Sequence, residues 1–211
     1  MSLSPDAPAD WAAELMQRRQ TILPRRLLDP GPHEAELARI LAAAATAPDH
    51  DRLVPWRFVA VPQPLRAALA TAFEDALLER DPRADAGQRE QAREKAFRAP
   101  VLLLAVARLR GDAPADAPPD GEETRDVPDA ERILSAGCAI QNMLLMATAL
   151  GYGSALTSGK ALGSASLRKL FRLGPDEQAL CFVSFGTPDR RKPARERPAP
   201  AAYFSTLGDP P

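Results

Sequence analysis

The sequence predicts an α+β fold with few strands, each flanked by helices. Three observations carry that expectation. Apolar residues recur at helical spacing in several windows, as in Leu37, Ile40, Leu41 and Ala44. Two short runs, PVLLLAVA at 100–107 and LCFVSFG at 180–186, are continuously apolar and too short for ordinary helices. A third apolar window, residues 131–150, is long enough for a helix and apolar nearly all round.

In chain order, residues 10–19 predict a short amphipathic helix, with Trp11, Leu15 and Arg18 near one face. The prolines of TILPRRLLDPGP break it. A helix follows over 34–47. The segment APDHDRLVP is a loop of turn-forming residues, and WRFVAV is a short strand. Pro64 opens another helix, with Leu65, Leu69, Phe73 and Leu77 along one side. Residues 79–96 are charged and solvent-facing. The run at 100–107 fits a central strand covered on both faces, although a buried helix segment has the same pattern.

Residues 108–130 are rich in Gly, Pro, Asp and Glu and predict a mobile loop or lid edge. The helix over 131–150 is expected to be buried on every side, in the domain centre or against a second subunit. GYGSALTSG is a loop, residues 164–171 a short helix, and 180–186 a second buried strand. A Pro/Arg-rich tail closes the chain. The whole, 1–211, is one domain, with 108–130 as a mobile loop and 189–211 as the tail.

Charge and cysteine usage exclude several classes. Lys+Arg 27 against Asp+Glu 28 gives a net charge of −1, so no basic excess drives nucleic-acid binding. The longest apolar stretch is interrupted by Ser135, Gln141, Asn142 and Thr148, which argues against a membrane span. Cys138 and Cys181 both lie in apolar runs, where reduced cysteines sit. With no apolar leader after the N-terminus, a cytoplasmic location is expected. Two histidines, His33 and His50, and no CxxC give no zinc site.

Four segments could carry chemistry. Arg18-Arg19-Gln20-Thr21 can clamp an anion, since two guanidiniums hold a phosphate bidentately. It can equally be the cationic end of a helix. His50, in APDH, can donate to a ligand oxygen or be an ordinary loop histidine, and Trp56 suits core packing better than ligand stacking. Gly151 to Gly159 superficially resembles a dinucleotide fingerprint but follows a helix and misplaces its last glycine. What remains is a small-residue loop able to approach a flat ligand, or a helix C-cap at Gly151 plus a turn. The basic tail, Arg190, Arg191, Lys192, Arg195 and Arg197, wraps a phosphate or, as its composition favours, solubilises the terminus.

Taken together, Arg-Arg near the start, APDH, PWRF, FRAP before a buried run, SAGCAIQNMLLMATALGYG and FGTP resemble the nitroreductase family in order and spacing. The likeness is to its compact single-domain branch and covers roughly residues 14 to 190. It implies a three-layer α+β sandwich, a mainly antiparallel central sheet flanked by helices, and an intertwined homodimer with two FMN at the interface. It also implies that the helix over 131–150 forms the dimer core.

By that resemblance Arg18, Arg19 and Gln20 hold the FMN phosphate and ribityl chain. Thr46 and His50 reach the partner's flavin, and Leu156, Thr157 and Ser158 lie along the isoalloxazine ring. Ile22 stands where many members place a cation facing the flavin N1–C2 carbonyl, with Arg26 or Arg52 as substitutes. Thr157 stands where relatives can carry Arg. The implied activity is hydride transfer from NADH or NADPH through FMN to a nitroaromatic or quinone, with no side chain needed as acid or base. Two other readings are a flavin-binding sensor or carrier without turnover and a helical interaction protein without cofactor.

Overall fold

The computed structural model describes residues 7–110, 127–191, 193 and 196–208. Its helices are α1 (Ala7–Arg18), α2 (Glu34–Ala44), α3 (Arg66–Arg80), α4 (Ala86–Glu94), α5 (Asp129–Ala149) and α6 (Ala165–Phe171). Its strands are β1 (Leu27–Leu28), β2 (Trp56–Ala60), β3 (Val101–Arg108), β4 (Gly153–Thr157) and β5 (Glu177–Pro188). All strand pairs are antiparallel, in the order β2-β3-β5, with β1 and β4 each also paired to β5.

The two continuous apolar runs became the two central strands because both of their faces are covered. On β3, Leu103 and Ala105 pack beneath α2 and α5 with Ile40, Ala139 and Met143. Leu102, Leu104 and Val106 pack on the other side beneath α3 and α6 with Leu69 and Leu167. Alternation along one strand therefore feeds two cores and makes three layers, as expected. On the α3 side Phe182 of β5 meets Phe73 and Phe171 edge-on, at centroid distances of 5.4 and 5.9 Å. Trp56 is buried in the core, as its packing reading required.

Several local expectations change. The charged stretch after α3 is exposed but not irregular, because Asp85 and Gln88 form a reciprocal capping box that starts α4. GYGSALTSG is not a loop throughout. Gly151 (φ 91°) closes α5, with the Gly151 N–H on the Thr148 carbonyl and the Tyr152 N–H on the Ala147 carbonyl. The next five residues then pair with β5 as β4. Within one chain helix α5 is not buried all round. Ala136, Ala139, Met143 and Ala147 face the core, while Leu134 is 68% exposed and Ile133 38%. In α1 no residue is buried, and Trp11 is 58% exposed. Leu65 is likewise exposed, outside the buried stripe of α3. Most of the expected mobile stretch 108–130 falls outside the described residues, as do parts of the tail.

Candidate functional site

The segment after α1 is strapped to the edge of the sheet. Thr21 bridges Ser154 in parallel, and the Ile22 N–H donates to the Ser154 carbonyl at 2.9 Å. The Ile22 side chain turns inward and is buried with Leu27 and Ala99. Arg18, Arg19 and Gln20 thus sit immediately before a strap fixed on β4, and β4 itself ends on Leu156 and Thr157, with Ser158 the next residue. Tertiary pairing brings these two predicted groups, more than 130 positions apart in the chain, to one edge of the sheet.

Cations at this edge are accessible. Arg18 pairs with Glu14 at 3.2 Å, but both side chains are about two-thirds exposed, so the pair holds the guanidinium weakly. The tail, assigned by composition to solubility, returns to this edge. Arg191 donates to the Gly151 carbonyl at 2.8 Å, and Arg197 to the Arg19 carbonyl at 3.4 Å. Nothing local in the sequence marks those contacts.

Thr157 and Ser158 also border a cleft of about 890 Å³ between the sheet, helices α3 and α4, and the 3-10 turn Lys160–Gly163. Its apolar wall includes Phe73, Leu77, Leu102 and Phe182, and Arg80, Lys95, Arg98 and Lys160 supply cations. No carboxylate of the described residues lines it. Arg98 is loosely paired with Glu94 at 3.9 Å. Arg80, Lys95 and Lys160 have no charged or hydrogen-bonded partner among the described residues, while Arg89 and Arg93 of α4 are both bound to Glu74. The sequence reading missed these cleft cations, since each lies in a segment that reads as ordinary charged surface.

The remaining two predicted residues lie elsewhere. Thr46 and His50 belong to the loop leading into β2, across β5 and β3 from β4. Three inter-strand spacings make that separation about 14 Å or more. The Thr46 hydroxyl donates to the Ala43 carbonyl at 2.8 Å and accepts from Asn142 at 3.0 Å. His50 Nδ1 lies 2.9 Å from Glu131 and Nε2 3.2 Å from Asp51. The hydrogen bond to Glu131, then the charge of Asp51, raises its pKa above the ordinary 6.5. Within one chain, therefore, these two do not join the cleft.

The loop is unusual in its backbone. Asp51, Arg52 and Val54 have φ of 50°, 59° and 46°, sparsely populated for such residues. One Asp49 oxygen accepts from the Val54 N–H at 2.7 Å, and the other is buried without a partner. Arg52 lines a separate hollow of about 540 Å³ with Leu41, Trp56 and Phe58. Within one chain neither Arg52 nor Arg26 lines the cleft beside Thr157. Lys95 does line it.

The donor set fits a planar aromatic group with an anionic tail. An apolar wall accepts the ring, Thr157 and Ser158 offer hydroxyls, and the neighbouring arginines match a phosphate. No group of His, Cys, Asp and Glu among the described residues could hold a metal.

The model of the nitroreductase family matches residues 15–187. The Escherichia coli K12 protein named "Putative NAD(P)H nitroreductase YdjA" is 30% identical over 177 residues, 84% of this chain and 88% of that protein. Among solved structures, a nitroreductase-like family protein from Bacillus cereus superposes with a TM-score of 0.74 at 17% identity, covering 99% of this chain and all of that one (100%). The FMN and NADPH-dependent nitroreductase NfnB from Sphigopyxis sp. strain HMH gives a TM-score of 0.69 at 19% identity, over 94% and 99% of the two chains.

Proposed function

The chain belongs to the nitroreductase family, and from that premise we propose that it is an FMN-dependent oxidoreductase acting as a homodimer. Bound FMN would supply the redox chemistry that links NADH or NADPH to an electron-poor acceptor such as a nitroaromatic or quinone. The observation that carries this reading is the cleft at the Thr157 end of β4, lined by no carboxylate of the described residues, on the strand to which the segment following Arg18–Gln20 is strapped.

On this reading the chain's residues bind and orient. Arg18, Arg19 and Gln20 hold the phosphate and ribityl chain, with Arg191 and Arg197 adding positive potential from the tail. Leu156, Thr157 and Ser158 lie along the ring. Lys95, an unpaired cation in the cleft, takes the charge-stabilising role that the buried Ile22 cannot. Thr46 and His50 belong to the partner's site. Their distance from β4 in the single chain agrees with that division, and the exposed Ile133 and Leu134 face of α5 supports a dimer. Residues 1–211 form one domain, and no helix of the described residues is long and apolar enough to cross a membrane. The free Cys138 and Cys181 fit a cytoplasmic protein.

The test is an absorbance spectrum of the purified protein before and after FMN addition and desalting, followed by anaerobic addition of NADH or NADPH. Retained flavin bands that bleach on addition of nucleotide are expected. Flavin that is retained but never bleaches would favour a sensor or carrier, the reading that the missing cation at Ile22 supports. No retained flavin would sink both.

A further inference from the structure

The cleft holds more cationic charge than the ring-and-phosphate reading uses. Arg80 ends α3, and Lys160 opens the 3-10 turn that follows β4. The two elements pack against each other and both cations line the cleft, whereas Arg18, Arg19 and Gln20 do not. Among the described residues neither has a partner, and no carboxylate lines the walls. On the neighbouring faces of α3 and α4 the pattern differs. There Glu74 is shared by Arg89 and Arg93, and Glu79 accepts the Ala165 and Ser166 N–H groups at 3.3 and 3.2 Å. Glu74 and Glu79 are thus bound elsewhere, and among the described residues the cations of this part of the cleft stand uncompensated next to an apolar wall of Phe73 and Leu77.

We propose that Arg80 and Lys160 form an anion-recognition corner, so that the reactant entering this cleft carries a phosphate or carboxylate on an otherwise apolar or aromatic body. A low-dielectric wall beside two unpaired cations strengthens attraction to an anion and leaves a neutral analogue without compensation. Gln88, also on the wall, offers an amide donor to the same group. Two sources share this chemistry, the 2′-phosphate that distinguishes NADPH from NADH and a carboxylate on the aromatic acceptor. The inference rests on the oxidoreductase reading for the identity of the reactant, but the anion preference itself is a binding property.

The test measures equilibrium binding by calorimetry on the full-length, FMN-treated protein. It compares 4-nitrobenzoate with neutral 4-nitrobenzamide, and NADP+ with NAD+, in wild type, Arg80→Gln, Lys160→Gln and the double variant. Arg80→Lys serves as the charge-keeping control, and melting curves confirm folding. At least one anionic ligand should bind more tightly than its neutral or less charged counterpart. The double variant should reduce that ratio by about tenfold, the size of one charged hydrogen bond, and Arg80→Lys should recover part of it. A shift confined to the nucleotide pair makes the phosphate the source, and one confined to the nitroaromatic pair makes it the carboxylate. Equal affinities in wild type, or ratios that no variant moves, overturn the inference. A protein that selects anions but retains no flavin would uphold this corner while sinking the reductase reading.

Discussion

Thr21 and Ser154 form an isolated parallel bridge that ties the segment after α1 to the edge strand β4, with the Ile22 N–H on the Ser154 carbonyl at 2.9 Å. The contact is tight because residue 153 is glycine. A Cβ there would come within 2.8 Å of Leu27 Cδ2 and 3.1 Å of Ile22 Cγ1. Gly153→Ala should therefore push the strap off β4. Overpacking of this kind costs about 1–3 kcal/mol and lowers Tm by roughly 2–12 °C in a chain this size. FMN titration should show weaker retention as well, and an unchanged melting curve would mean that the strap yields freely.

Arg66 is 1% exposed and donates to the Val61, Ala96 and Pro100 carbonyls at 2.8, 2.7 and 3.2 Å. It staples the start of α3 to the turn that carries Lys95 and to the entry of β3. Arg66→Ala leaves three carbonyls without that donor, and a loss of about 3–5 kcal/mol is expected in denaturant titration. Arg66→Lys keeps the charge but not the fork, so its loss should be intermediate.

His50 joins the loop before β2 to the first turn of α5 through Glu131. Its folded pKa is raised, first by the hydrogen bond to Glu131 and then by Asp51, above the ordinary 6.5. The contribution is therefore complete below about pH 6.5 and fades as pH rises through the elevated folded value. Comparing wild type with His50→Gln by melting temperature should show a gap at pH 5.5 that narrows toward pH 8.5. A gap independent of pH would assign His50 a packing role only.

Cys181 is buried in the core, and desolvation pushes its thiol pKa up to about 11. It should resist alkylation at pH 8 in the folded protein and react once the protein is denatured. Peptide mapping after iodoacetamide treatment reads this directly.

Leu134 is 68% exposed on α5. If this face joins two copies, Leu134→Glu should shift the protein toward monomer in light scattering coupled to gel filtration, with helix content retained. A dimer unaffected by the charge would place the contact elsewhere.

The sequence by itself determined the elements whose signal is local. Helical stripes gave α2 and α3, and two continuous apolar runs gave the central strands β3 and β5, because periodicity reports which faces meet a core. The ordered motifs from Arg18 to Pro188 also pointed to the family that the comparison then found. What depended on distant pairing was not legible. Residues 153–157 read as a loop because nothing in GSALT signals a strand until β5 lies beside it. Helix α5 read as buried all round because composition cannot tell a core from a face that one chain leaves exposed. The cleft is the clearest case. Arg80, Lys95 and Lys160 come from three separate charged stretches, each unremarkable alone. Only the packing of α3, α4 and the turn after β4 puts them around one hollow. Which cations remain unpaired there follows from where Glu74 and Glu79 are already engaged.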